Sequence, residues 1–218
     1  MKARQFAVIG IGRFGASVAA KLYEMGYDVL AIDTSESRID GIVDRVTHAV
    51  VADSTSETAL KSLGISNFDV VIVAIGQDIQ ASILTTLVLK EMGVKQIVTK
   101  ALTEQHGKVL QKIGADRIVF PERDMGIRVA NNLAATNVLD FIELSPDFSI
   151  VEFIATAEMV GKSLKELDFR AKFGVNVLAI RTSDKNINVS PSASDKIQAG
   201  DLLIMVGENT SLQKMGES

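Results

Sequence analysis

Three glycines and one acid are the residues of this chain best spaced to do chemistry. The segment from Phe6 to Gly15 reads F-A-V-I-G-I-G-R-F-G, which sets Gly10, Gly12 and Gly15 at G-x-G-x-x-G spacing after an apolar run. In such a turn the first glycine permits a tight strand-to-helix reversal and the second lets the backbone approach a phosphate. The third lets helix and strand pack closely. A helix opening at that point offers unpaired N–H groups and the positive end of its dipole to an anion. A second apolar run, Val29 to Ile32, ends in Asp33, about twenty residues further on, where a carboxylate accepts from ribose hydroxyls. Without a ligand, the glycines would make only a tight turn and Asp33 would cap the next helix. The order strand, glycine turn, helix, strand, acid favours nucleotide binding over that alternative.

The elements that must hold these residues repeat one theme through the first two-thirds of the chain. An apolar run is followed by a turn, an amphipathic helix, a glycine and the next run. The strands expected are Phe6–Gly10, Val29–Asp33, His48–Ala52, Val70–Ile75, Gln96–Lys100 and Arg117–Phe120. Several are near-continuous Val, Ile and Ala, as in parallel strands covered on both faces. Met25-Gly26, Leu63-Gly64, Met92-Gly93 and Ile113-Gly114 each close a helix-like segment, with glycine in the left-handed position. The fold class expected is α/β: a Rossmann-like doubly wound parallel sheet in order 3-2-1-4-5-6, followed by a small α+β module. Its ligand crevice should lie beyond the carboxyl ends of strands 1 and 4.

Arg123 to Ala135 reads as a helix that either closes the first domain or, within Met125–Leu144, crosses over to cover a partner. Val138 to Leu144 looks extended, and Ser145-Pro146-Asp147 marks a turn. The expected division is a nucleotide-binding domain over 1–137, a hinge over 138–147 and a ligand and dimerisation module over 148–218. That module reads β-α-β-β-β, with strands Ser149–Ala155, Val175–Arg181, Ile187–Ser190 and Leu202–Val206 and one helix, Ser163–Phe173. The end, Gly207–Ser218, is polar and expected to fray.

Further candidates fall at strand ends. Asp53 and Ser54 close strand 3, where they either face the ligand or cap the next helix. Ile75 and Gly76 close strand 4 near the base or ribose, and Thr34 follows Asp33. Lys100 ends strand 5, where a lysine gains little unless an anion is near. Arg13, between Gly12 and Phe14, could reach a terminal phosphate despite an unfavourable dipole. Glu122, after Pro121, either holds a divalent cation with nucleotide phosphates or starts a helix as a surface charge.

No catalytic residues are assigned. There is no H-E-x-x-H pattern, G-x-S-x-G elbow or Walker A sequence, and no cysteine to serve as nucleophile, disulfide or metal ligand. His106 is expected to face solvent or a subunit interface. The 47% apolar content supports a packed core, and the net charge of −4 argues against non-specific nucleic-acid binding. No run reaches the ~18 apolar residues of a membrane span, and the first residues lack a signal-peptide cleavage pattern. The expected location is the cytosol.

Other stretches carry a family likeness: N-F-D-V-V-I-V-A-I-G at 67–76, Q-A-S-I-L-T-T-L-V-L-K-E at 80–91 and K-V-L-Q-K-I-G-A-D-R-I at 108–118. P-E-R-D-M-G at 121–126 and R-A-K-F-G at 170–174 continue it. With the glycine segment they resemble the RCK regulatory subunits of the Trk/Ktr bacterial potassium-uptake family, in its KtrA/KtrC branch, from Phe6 to about Val206. The resemblance implies a non-enzymatic regulatory subunit on the inner face of the membrane. It implies dimers assembled into an octameric ring that docks on a membrane-embedded, potassium-translocating subunit, with ATP and ADP favouring different ring shapes. Gly10, Gly12 and Gly15 would then line the phosphates and Asp33 would take the ribose, with Ile11, Phe14 and Thr34 counted in the same binding set. Ile75 and Gly76 would lie near the nucleoside with Lys100 close by, and Asp53 and Ser54 are counted in the same binding set. Arg13 would read the terminal phosphate across a dimer interface, and Glu122 would place a cation (magnesium or calcium) between paired nucleotides. The resemblance also implies that NAD or NADH can bind. Cyclic di-AMP is implied at the C-terminal module, with Arg170 on a phosphate, Asn176 on a base and Pro191 as an apolar wall. Thr182 departs from relatives that carry a ligand-holding histidine there, which would weaken that site. The alternatives are an NAD(H)-binding redox sensor and a small NAD-dependent oxidoreductase.

Overall fold

The apolar run ahead of the glycine turn becomes strand β1 (Gln5–Ile9), buried from Phe6 onward. It lies between β2 (Asp28–Asp33) and β4 (Val70–Val73), parallel to both. With β3 (His48–Val51), β5 (Ile97–Lys100) and β6 (Arg117–Val119) it forms a parallel sheet in the order β3-β2-β1-β4-β5-β6, as expected of a doubly wound fold. The molecule is described by a computed structural model covering residues 4–134 and 138–216. These fall into two units, one ending at Arg123 and one beginning at Asp124.

The double winding follows from side-chain alternation along the central strands. Phe6, Val8, Val29, Ala31, Val70 and Ile72 join one core cluster. Their neighbours Ala7, Ile9, Leu30, Ile32, Val71 and Val73 join another, with Leu60 and Leu89. Each strand residue is therefore covered, and helices are needed on both sides. Helix α1 (Arg13–Glu24) supplies one by burying the small residues Gly15, Ala19 and Ala20, which let it approach the sheet closely. Then come α2 (Glu36–Asp40), α3 (Glu57–Ser62), α4 (Ile79–Glu91), α5 (Glu104–Lys112) and α6 (Pro121–Ala134). Ser56, Asp78 and Thr103 cap α3, α4 and α5 by accepting from the backbone three residues on. Gly26, Gly64, Gly93 and Gly114 all have positive φ, as their place after helix-like segments predicted. Ala135, expected as the last helical residue, lies outside the described residues, as does residue 137, the expected end of the first domain.

The second unit carries an antiparallel sheet in the order β10-β9-β11-β8-β7. Its strands are β7 (Val138–Glu143), β8 (Phe148–Ile154), β9 (Asn176–Arg181), β10 (Ile187–Asn188) and β11 (Leu202–Glu208). Strand β7 pairs with β8, so the stretch expected to link the two domains enters this sheet as its edge. The helix expected over Ser163–Phe173 is two: α7 (Leu164–Leu167) and α8 (Phe169–Phe173). Asp168 separates them at φ 45°, a left-handed conformation that Asp tolerates, and its side chain accepts from Ala171 N–H to start α8. The polar end is a second correction. Asn209–Gly216 forms helix α9, and Leu212 and Met215, three residues apart, are buried with Phe153, Leu203 and Met205. Two apolar residues on one face suffice to dock a short helix on a sheet already half-covered. Among the described residues no helix is long and apolar enough to cross a membrane.

Candidate functional site

The carboxyl ends of β1, β2, β3, β4 and β5 open into one cavity of about 1020 Å³, all within the first unit. Its floor is the glycine turn. Gly10 sits at φ 93°, and a Cβ there would stand 2.9 Å from the Ile75 backbone nitrogen. A Cβ on Gly15 would stand 2.0 Å from the Gly10 carbonyl oxygen. Both glycines are thus demanded by the chain's own packing. Gly12 is different: its φ of −78° suits any residue, and a Cβ there would meet nothing within 4 Å. Nothing in the fold asks for glycine at that place, and the space it leaves is cavity.

Gly12 is also the N-cap of α1, with no side-chain cap and no acidic residue in the first turn. The helix presents its N–H groups and dipole to the cavity, an arrangement made for an anion. Arg13 and Phe14 line the wall beside it. Ile11 and Gly15, included among the expected binding residues, stand behind the wall. Ile11 is buried, and its N–H donates to Asp33 Oδ2 at 2.6 Å, tying the glycine turn to the end of β2.

Asp33 is 5% exposed and more heavily bonded than its sequence position suggests. Besides Ile11 it accepts from Ser35 N–H on Oδ1 at 2.9 Å and from Arg38 Nη1 on Oδ2 at 3.3 Å. Thr34 lines the cavity next to it, and so does Arg38. Sequence reasoning did not select Arg38. Its signal was slight: an arginine five residues after the site acid, on a short polar helix.

Asp53 and Ser54 both line the cavity and neither caps α3, a task that falls to Ser56. The Thr55 hydroxyl and backbone N–H, at 2.7 and 2.9 Å, hold the Asp53 carboxyl below its ordinary pKa. Ser54 is buried, its hydroxyl 2.8 Å from that of Thr85 on α4. Ile75 and Gly76 form the opposite lip.

Lys100 is the cavity's buried cation. A Cβ on Gly76 would lie 3.3 Å from its Nζ, so glycine there makes room for the ammonium. That ammonium lies 5.8 Å from the centre of the Phe14 ring and donates to Glu122 Oε1 at 2.5 Å. The Lys100 hydrogen bond holds the Glu122 carboxyl below its ordinary pKa, and the charges of Lys100 and Arg13 add to this. Among the described residues no three His, Asp or Glu side chains converge to hold a metal ion. Glu122 alone does not make a cation site, since its carboxylate is already matched by Lys100.

His106 does not face solvent. It is 3% exposed, and its Nδ1 accepts from Leu102 N–H at 3.4 Å. Burial lowers its pKa.

In the second unit Arg170, Asn176 and Pro191 lie on three separate elements. Arg170 is exposed on α8, Asn176 is exposed at the start of β9, and Pro191 is half-buried in the loop after β10. A cleft of about 180 Å³ in this unit is lined by other residues, among them Lys162, Phe169 and Lys172. Thr182 belongs to the β9–β10 turn, where its N–H donates to the Asn186 carbonyl at 2.9 Å.

Residues 6–121 match the TrkA-N domain and residues 148–218 the TrkA-C domain. The chain is similar to Ktr system potassium uptake protein C of Bacillus subtilis (strain 168), 50% identical over 97% of this chain and 95% of that protein. It is 48% identical to Ktr system potassium uptake protein A of the same organism, over 98% and 96% of the two chains. Among solved structures it resembles the GsuK RCK domain with a TM-score of 0.68, at 16% identity, covering 99% of this chain and 47% of that one. The GsuK channel bound to NAD is similar in fold over 97% of this chain and 38% of that one, with a TM-score of 0.67 and 16% identity.

Proposed function

Because the chain belongs to the TrkA-N/TrkA-C (RCK) family, with potassium-uptake proteins as close full-length relatives, we propose that it is a regulatory subunit of potassium uptake. In this reading it is controlled by a nucleotide held in the cavity at the carboxyl ends of the first sheet, and its role is not enzymatic. The observation that carries the nucleotide is Gly12, which has an ordinary backbone conformation and open space at its Cβ position, before the uncapped N-terminus of a twelve-residue helix. A phosphate at that point would satisfy the helix N–H groups and meet the positive charge of Arg13. Lys100 would stand close to the ligand, and Asp33 would take the ribose.

ATP and ADP are the ligands proposed, with Arg13 distinguishing them by their terminal phosphate. A ligand shifts a two-state assembly only by its differential affinity for the two states. One extra phosphate contact suffices for the ~1–3 kcal/mol of typical allosteric coupling. A divalent cation at Glu122 would need phosphate oxygens or a second copy's carboxylate to complete its coordination, because the chain's own groups do not. A homo-oligomer, an octameric ring in its fullest form, is proposed to act on a membrane-embedded translocating subunit from the cytoplasmic side. Helix α6 supports assembly: Met125, Ile127, Val129 and Leu133 on it are 54%, 51%, 48% and 82% exposed. Cyclic di-AMP is proposed as a second ligand, at Arg170, Asn176 and Pro191.

The second reading, an NAD(H)-binding redox sensor, is favoured by the cavity's volume, which is at the upper end of small-ligand pockets and roomy enough for a dinucleotide. Competitive calorimetry with ATP, ADP and NADH on the purified protein decides between them. Micromolar ATP and ADP binding that NADH barely displaces is expected. Tight NADH binding with negligible ATP affinity would overturn the proposal in favour of the second reading.

A further inference from the structure

Arg38 borders the cavity, and nothing in the glycine motif calls for it. Its side chain is 54% exposed, and its charged partner is Asp33 Oδ2 at 3.3 Å. An arginine on a polar surface helix commonly points into water, whereas this one turns back to a carboxylate that is almost wholly buried.

Hydrogen-bond accounting at Asp33 shows what is missing there. A carboxylate offers about four acceptor positions. Ile11 N–H, Ser35 N–H and Arg38 Nη1 occupy three of them, leaving roughly one for a ligand. A ribose carries two neighbouring hydroxyls, and Asp33 has capacity for one. The second hydroxyl needs another partner at the same corner. Arg38 supplies it, because a guanidinium has five N–H donors, and beyond Asp33 none has a partner within the described residues.

We propose that Arg38 and Asp33 form a fork that reads the ribose diol. Asp33 accepts from one hydroxyl, and Arg38 donates to the oxygen of the other. Arg38 is thereby a specificity-determining residue, selecting ribonucleotides whose two hydroxyls are both present and unmodified. A 2′-phosphate is excluded on the same grounds. Its charge would lie against a buried carboxylate, and the compensating arginine charge is already matched by Asp33.

This inference rests on the nucleotide reading of the cavity, and the experiment separates the two. ATP, 2′-deoxy-ATP and 3′-deoxy-ATP are titrated calorimetrically into the full chain, as wild type, Arg38→Ala and Arg38→Lys. Wild type is expected to bind ATP about tenfold more tightly than either deoxy analogue, the value of one good hydrogen bond. Arg38→Ala should weaken ATP about tenfold and abolish the penalty for one of the two missing hydroxyls while keeping the other. Arg38→Lys, which keeps a donor without the planar fork, should fall between. Equal weakening of all three nucleotides in Arg38→Ala, or no change, would overturn the fork. So would tighter binding of NADP than of NAD by wild type. A wild-type chain that binds none of the nucleotides would overturn the cavity reading, and the fork with it. Arg38→Ala leaves the buried Asp33 carboxylate without its cation and should lower thermal stability, whereas Arg38→Lys keeps the charge and should unfold close to wild type, so a selectivity change shared by both variants is not a folding effect.

Discussion

Lys100 and Glu122 meet at 2.5 Å with opposite exposures: the lysine side chain is 10% exposed and the glutamate 65%. A charge buried that deeply depends on its partner, while the partner, wetted by solvent, depends on it far less. The pair therefore behaves as a buried cation with a detachable counter-ion at the mouth of the cavity.

Glu122→Gln should destabilise the protein at neutral pH by about 1–2 kcal/mol, below the range for breaking a fully buried pair because Glu122 is solvated. The sign with pH follows from its lowered pKa. A carboxylate whose folded pKa lies below its unfolded value of 4.5 contributes stability above 4.5 and loses it as pH falls through the folded value. Urea unfolding of wild type and variant should thus differ at pH 7, and the gap should close as the pH falls below 4.5 and through the folded value. A gap that persists undiminished in acid would show that the ion pair is not its source.

Gly12→Val and Gly15→Ala should fail in opposite ways. A Cβ at Gly12 meets nothing within 4 Å, so the melting temperature of Gly12→Val should stay within a few degrees of wild type while nucleotide affinity falls at least about tenfold. Gly15→Ala drives a methyl onto the Gly10 carbonyl and should prevent stable folding. Melting curves set beside calorimetry test both.

Arg13→Ala should bring ATP and ADP affinities to within about twofold of each other while sparing the fold, because Arg13 is exposed and lines the cavity. Undiminished preference for ATP would remove Arg13 from the proposed reading of the terminal phosphate.

Arg170→Ala should lower affinity for cyclic di-AMP at least tenfold without altering thermal stability, since Arg170 is an exposed residue on a five-residue helix. Thr182→His should strengthen binding. Calorimetry on the full chain reads both, and unchanged affinity in Arg170→Ala would locate any such ligand elsewhere.

Leu212→Ala should cost about 2–4 kcal/mol, the range for a leucine emptied from a packed core, because Leu212 is 4% exposed against the second sheet. A loss below half a kcal/mol in urea unfolding would mean that α9 contributes little to that unit.

The first sheet was legible because its strands are apolar runs and its helices end in glycines, two signals that agree about the same boundaries. Asp33, Asp53, Gly76 and Lys100 could be assigned to the cavity from their places at strand ends, which the parallel topology brings to one side. Arg38 could not, since an arginine on a short polar helix looks the same whether it points to water or turns back to a carboxylate. Helix α9 was hidden for a related reason: Leu212 and Met215 are too few to make a periodic pattern, and only the sheet beneath them makes their spacing matter. The break at Asp168 was equally silent, because a left-handed residue announces itself only when it is glycine. His106, alone on a polar helix, gave no sign that it and Leu110 share the inward face.

The three glycines of the turn are under different masters. Gly10 and Gly15 answer to the chain's own backbone, and any descendant that still folds must keep them. Gly12 answers, in the proposed reading, to the ligand. Among distant descendants of this sheet the middle glycine becomes a clock. Where the nucleotide has been given up it is at liberty to drift, and a chain with the outer pair intact and a bulky residue between them is expected to be a relative that has gone silent.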